Sequence, residues 1–191
     1  MTDRPSSPRA FEPIGGETVW KGRILEVRVE RFRHADGGEV EREIVRHGGA
    51  VAVVAYDDEH VWLVRQPREA VGDPDVLEIP AGRLDVPGEA PLSAAQRELA
   101  EEIGRGAHHW ELITPFYSTV GFSNEIVQLF AATGLHEQAA DSEENERIEI
   151  VALPLSQLDA TIAELRDSKT IIGLMWLRDR LARADRAGPA D

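Results

Sequence analysis

The sequence predicts an α/β fold, and three observations carry that reading. Residues 25–30 alternate apolar and charged side chains with the period of a half-buried strand. Residues 50–56 and 61–66 are apolar runs of the length expected of central strands. From about Pro91, the residues Leu92, Ala95, Leu99 and Ile103 recur at helical spacing and form one apolar stripe. With 191 residues, 42% of them apolar, the chain has enough material for one sizeable core.

In chain order, residues 1–16 are rich in Pro, Ser and Gly and read as a loose tail. From Thr18 the chain reads as strand, with Leu25, Val27 and Val29 on one face. Asp36-Gly37-Gly38 is a turn signal, and Val40 to Val45 returns as the hairpin partner. Residues 17–46 are thus expected to form a small antiparallel subdomain, and 47–187 the main domain. Asp57 to His60 is a tight connection between the two central runs. The second run ends in Leu63-Val64-Arg65-Gln66-Pro67-Arg68, which sets two guanidinium groups near a strand end. They read either as solvated arginines or as a bidentate grip on a diphosphate. Val76 to Ile79 is a third strand, and Glu78 within it is costly unless paired.

Beyond the Pro91 helix, Trp110 to Tyr117 and Ile126 to Ala132 read as strands, separated by a loop from Ser118 to Glu125. Residues 141–147 read as an acidic loop leading into a strand from Ile148 to Leu153. Two helices close the chain: Leu155, Leu158, Ile162 and Leu165 mark one, and Ile171, Leu174 and Leu181 the other, with a break at Ser168 or Lys169. The Met175–Trp176 stripe reads as core or subunit contact.

Composition excludes several classes of function. No run of about 18 apolar residues offers a helical membrane span. Residues 1–16 lack the apolar centre of a secretory signal. The absence of cysteine rules out disulfide and thiol chemistry and suits a cytoplasmic protein. A net charge of −14 argues against a broad nucleic-acid-binding surface. It leaves room for a small phosphorylated substrate held by metal ions and a few arginines. The histidines are scattered or adjacent and lack metal-ligand spacing.

The chemistry concentrates between Leu77 and Arg105. On a helix from Pro91, Glu98, Glu101 and Glu102 fall within roughly 100° of arc. Such like charges repel one another, and a divalent cation turns that repulsion into attraction. Arg97, one turn before Glu101, can hold a carboxylate in place. On its own the cluster reads as a solvated acidic face. What precedes it changes that reading: Ile79-Pro80-Ala81-Gly82 ends an apolar run, and Gly82 can bring its backbone close to a ligand.

Gly82, Glu89 and Arg97-Glu98-Leu99-x-Glu101-Glu102-x-Gly104 resemble the Nudix box, the signature of Nudix hydrolases. Two departures stand out: the gap between Gly82 and Glu89 is one residue longer than usual, and Arg105 replaces an apolar residue. The segments TVWKGRILEVRVERF, VRQPR, GFSNE and ENERIEIVALPL resemble those of the ADP-ribose pyrophosphatases within that family. The match covers about residues 18–185, but Val120 replaces the subfamily's usual proline.

The resemblance implies a Nudix-type α/β/α sandwich with a mixed sheet, plus the small N-terminal antiparallel sheet. It implies Mg²⁺-dependent hydrolysis of ADP-ribose to AMP and ribose 5-phosphate, with Mn²⁺ as a substitute metal. Glu98 and Glu102 would be the principal metal ligands, with Glu101 and the Ala81 carbonyl assisting and Arg97 orienting the carboxylates. Arg65, Arg68, Glu78, Gly121 and Phe122 would contact substrate. Glu144 or Glu146, on the acidic loop with Glu143, would serve as the general base. The N-terminal sheet would exchange between the subunits of a homodimer. Three rivals stand beside this reading: a pyrophosphatase for another nucleotide sugar or dinucleotide, a non-catalytic ADP-ribose sensor, and a structural dimerisation module.

Overall fold

The computed structural model describes residues 10–140 and 147–187. They divide into two compact units. The first comprises the chain up to Gly48 together with Thr119–Glu125, and the second comprises the remainder.

In the first unit, β1 (Phe11–Lys21), β2 (Leu25–His34) and β3 (Glu39–His47) form an antiparallel sheet in the order β1-β2-β3. Strand β1 begins inside the segment expected to be a loose tail. Its ladder with β2 slips between Pro13 and Gly15 and again between Thr18 and Trp20. Irregularities of this kind let a Pro- and Gly-containing stretch pair as an edge strand, because proline cannot donate to a ladder. Gly16 is required for close approach: a Cβ there would stand 2.7 Å from the Val29 carbonyl oxygen. The expected hairpin turn is present, with Gly38 N–H donating to Asp36 Oδ1 at 2.9 Å. On the sheet face, Arg46 Nη2 donates to both oxygens of the buried Glu30, at 2.8 and 2.7 Å, and Arg28 Nε donates to Oε1 at 3.0 Å.

The 119–125 loop docks on the edge of β3. Val45 N–H donates to the Phe122 carbonyl at 2.7 Å, and His47 N–H donates to Asn124 Oδ1 at 2.8 Å.

The second unit is a three-layer α/β/α sandwich. Its strands are β4 (Ala50–Tyr56), β5 (His60–Arg68), β6 (Asp73–Glu78), β7 (Ala81–Arg83), β8 (Arg105–Tyr117), β9 (Ile126–Glu137) and β10 (Glu149–Pro154). The main order is β10-β5-β4-β9-β8, with β6 paired to β5 and β7 to β4. Among the described residues only β4 and β9 run parallel in this sheet, which makes it mixed.

Alternation along β4 divides the core in two. Val51, Val53 and Ala55 pack with Ala94, Ala95, Leu99 and Ile103 of α1 (Pro91–Ile103). Ala52 and Val54 pack on the other face with Leu158 of α2 (Leu158–Glu164) and with Leu174 and Leu177 of α3 (Ser168–Ala187). Among the described residues no helix is long and apolar enough to cross a membrane.

Several boundaries differ from the sequence expectation. Strand β8 starts at Arg105 rather than Trp110: residues 105–109 pair with β9, although His108 and His109 are exposed and give no apolar signal. Its place at the end of the sheet tolerates Pro115, next to a register slip between Leu112 and Thr114. The last helix starts at Ser168, where the expected break was placed, and the break lies just before it, at residues 165–167. Trp176 packs edge-on to Tyr56, with ring centroids 6.4 Å apart, whereas Met175 is exposed.

Candidate active site

Helix α1 opens with Pro91 at its first position and ends at Gly104, whose φ of 67° is left-handed and whose N–H donates to the Ala100 carbonyl at 3.0 Å. Its buried face includes Ala94 and Ala100, and Leu92 is 39% exposed, so the stripe is turned from the one expected. Two small side chains at Ala94 and Ala95 let the helix lie against β4, while the first turn keeps Leu92 in solvent.

The three glutamates are not equivalent. Glu102 is 7% exposed and turned toward the sheet, where its Oε2 accepts from Ala81 N–H at 3.0 Å. Glu98 stands against Gly82 so closely that a Cβ at residue 82 would lie 1.8 Å from the carboxyl carbon. Glu101 lies further out and accepts from Arg97 Nη1 at 2.8 Å.

Arg97 organises the group. Its Nη1 also donates to Glu98 Oε1 at 2.8 Å, and its Nε and Nη2 donate to the two oxygens of Glu89 at 3.2 and 3.1 Å. The bonds to Glu89, then the negative charge of Glu98 and the bonds to Glu101 and Glu98, raise the guanidinium pKa against the opposing effect of burial. Glu89 was singled out in the sequence only as a motif position. Its role as bidentate partner of Arg97 appears in the structure, at the end of a turn in which Glu89 N–H donates to the Val86 carbonyl at 3.1 Å.

Arg105 has a physical explanation as well. Its guanidinium stacks 3.8 Å from the centre of the Trp62 ring, so a planar cation covers apolar surface where a bulky apolar residue is usual. A recess of about 620 Å³ beside it is lined by Glu101, Glu102, Arg105, Gln138 and Ile148.

Arg65 and Arg68, expected as one grip, each hold their own carboxylate. Arg65 Nη1 donates to Asp75 Oδ2 at 3.2 Å. Arg68 donates to Glu78 through Nε and Nη2 at 2.6 and 2.8 Å. Glu78 is 2% exposed and also accepts from Lys169. Burial pushes its pKa up, but Arg68 and Lys169 together outweigh that and hold it below the ordinary carboxylate value. Its partnership answers the expected cost of an acid in that strand. A cavity of about 510 Å³ is lined by Arg68, Val71, Val76, Glu78, Arg166 and Lys169. Gly121 and Phe122 belong to the first unit, on the loop docked along β3. Glu143, Glu144 and Glu146 lie outside the described residues.

The donor chemistry fits a hard divalent cation: carboxylates from one helix, beside a backbone segment that approaches through a glycine. Three acidic side chains, at residues 89, 98 and 101, bond to one guanidinium, and Glu102 follows one turn on from Glu98, an excess of negative charge that a cation would relieve. Among the described residues, no three acidic or histidine side chains already stand grouped as a metal-holding set. Arg97 draws Glu98 and Glu101 to itself.

Residues 46–172 match the NUDIX domain. Over 170 residues the chain is 38% identical to a methanol dehydrogenase activator of Bacillus methanolicus, covering 86% of this chain and 91% of that protein. It is 36% identical over 170 residues to an ADP-ribose pyrophosphatase of Bacillus subtilis (strain 168), with the same coverage of 86% and 91%. A crystal structure of an ADP compounds hydrolase shares the fold, with a TM-score of 0.81 at 22% identity, over 94% of this chain and 98% of that one.

Proposed function

Because this chain belongs to the Nudix hydrolase family, we propose that it hydrolyses the diphosphate bond of ADP-ribose, yielding AMP and ribose 5-phosphate. The observation that carries the reading is the α1 cluster, in which Glu98 and Glu102 stand against Gly82 and Ala81. The ADP-ribose pyrophosphatase among the relatives supports the substrate.

Glu98 and Glu102 would hold Mg²⁺, with Glu101 and the Ala81 carbonyl assisting. Bound there, the metal would supply positive charge that offsets the phosphate oxygens and favours ionisation of water. The chain's own side chains do the rest. Arg97 orients the carboxylates through its bonds to Glu98 and Glu101, anchored in turn by Glu89. Arg65 and Arg68 would bind the diphosphate, aided by Glu78, which fixes the Arg68 guanidinium plane. Gly121 and Phe122 would complete the substrate contacts. A water oxygen attacks one phosphorus, the bridging P–O bond breaks, and Glu144 or Glu146 accepts the water's proton. The same reading takes residues 47–187 as the catalytic domain, and the enzyme as a cytoplasmic homodimer sharing its N-terminal sheets.

A phosphorus NMR time course with ADP-ribose, with and without Mg²⁺, tests it, alongside a panel of nucleotide sugars and dinucleotides. The expected result is Mg²⁺-dependent formation of AMP and ribose 5-phosphate. Turnover of another panel member alone would move the substrate and keep the chemistry. Glu102→Gln should retain the fold and lower turnover roughly a thousandfold, the several kcal/mol that a metal's charge supplies at the transition state. A wild-type rate in that variant would remove Glu102 from the metal site.

A further inference from the structure

Four consecutive residues leading into the candidate metal site are each tied to another element. Glu78 accepts from Lys169 of α3 and from Arg68 of β5. Ile79 N–H donates to the hydroxyl oxygen of Thr170 of α3 at 2.9 Å. The Pro80 carbonyl accepts from Val53 N–H of β4 at 2.8 Å, and Ala81 N–H donates to Glu102 of α1 at 3.0 Å. Gly82 follows, with Glu98 packed against it. Lys169 is itself fixed: its ammonium also lies 3.1 Å from Asp167 Oδ1, and its side chain is 16% exposed. Asp167 in turn accepts from Thr170 N–H at 3.0 Å and from the Thr170 hydroxyl.

We propose that Lys169 is a positioning residue for the metal site: by clamping Glu78 it sets the place of the Ala81–Gly82 backbone against Glu98 and Glu102. A lysine on the last helix thereby acts on carboxylates of the first, without touching them. The apolar contacts of α3 through Leu174 and Leu177 hold the helix to the sheet further along its length. The Lys169–Glu78 and Thr170–Ile79 bonds fix the helix's first turn to two successive residues of the segment entering the site. A buried carboxylate with two cationic partners is sensitive to losing one of them, because the remaining geometry must then satisfy both oxygens.

This inference rests on the α1 carboxylates being the metal site, so its test has readouts that need neither nucleotide nor turnover. Mn²⁺ binding is titrated by the electron paramagnetic resonance of the free ion in wild type, Lys169→Met and Lys169→Arg. Deuterium exchange is followed at the amides of Ile79 and Ala81. In the methionine variant, metal affinity should fall about tenfold, the usual scale for a residue that supports a ligand without touching the metal. Exchange at Ala81 should quicken, while turnover of ADP-ribose should fall with little change in KM. The arginine variant should recover most of each. Unchanged exchange at Ala81 together with wild-type metal affinity in Lys169→Met overturns the proposal, even if its melting temperature falls. Should that variant not fold, Glu78→Gln takes its place with the same expectations for metal affinity and for exchange at Ala81, and wild-type behaviour in both overturns the proposal equally. A wild-type protein that binds no Mn²⁺ sinks the metal reading, and exchange at Ala81 still decides whether Lys169 positions this backbone.

Discussion

At residue 82 the constraint is steric and local. An alanine methyl there would overlap the Glu98 carboxylate, the far end of a flexible side chain, so Glu98 must swing away while the backbone stays. Gly82→Ala should therefore fold, with a melting temperature within a few degrees of wild type, and lose at least about tenfold in turnover, a near-ångström displacement of one proposed ligand. Circular dichroism and the phosphorus NMR assay check the two halves; full activity would show that Glu98 does not need its present position. The sequence pointed to close backbone approach at Gly82, but the neighbour is the protein's own glutamate. Glu98, Glu101 and Glu102 were legible because helical periodicity places side chains angularly. Their unequal burial was not, since that depends on how the helix rolls against β4. Arg105 shows the same limit: its stacking on Trp62 is a contact across the sheet, and nothing near residue 105 in the sequence indicates it.

Among the elements, legibility followed burial. Strands β4 and β5 lie inside the sheet, and their continuous apolar runs announced them. Strands β1 and β8 stand at sheet ends, where Pro or Gly is tolerated, and many of their side chains are exposed, so their sequence signal is weak. The start of α3 escapes the sequence pattern for another reason: Asp167, Ser168, Lys169 and Thr170 are polar, and periodicity is silent about them. Their capping chemistry is informative, because Asp167 Oδ2 accepts the Thr170 N–H three residues on, as an N-cap does. Asp167→Ala should cost about 1 kcal/mol and lower the melting temperature by roughly 2–4 °C. It also removes one partner of Lys169, so exchange at the Ile79 amide, bonded to Thr170, should quicken. A variant as stable as wild type, with Ile79 protected, would mean that the Lys169–Glu78 contact alone holds this turn.

For the whole molecule, acid should be the effective denaturant, and the sign follows from two carboxylates, one in each unit. In the first unit, the bonds from Arg46 hold Glu30 below its ordinary pKa against the cost of burial, with Arg28 adding to them. In the second, burial raises Glu78 but Arg68 and Lys169 overcome it, so it too lies below the ordinary value of 4.5. Both groups release protons more readily folded than unfolded. Below about pH 4.5 the unfolded chain therefore takes up protons first, and stability falls as pH drops through the folded pKa values. Above that range their contribution is fully present and flat. Urea midpoints measured from pH 7 downward should hold steady and then decline below about pH 4.5. Glu78→Gln should lower the neutral plateau, since it leaves Arg68 and Lys169 with an uncharged partner. It should also flatten the acid decline of the second unit, which holds Trp62, Trp110 and Trp176 as its fluorescent reporters once Trp20 of the first unit is replaced by Phe. Glu30→Gln should leave that signal's pH dependence alone, because its network with Arg28 and Arg46 lies wholly in the first unit. A tryptophan-detected acid decline as steep in Glu78→Gln as in wild type would show that other carboxylates set the acid limit of the sandwich.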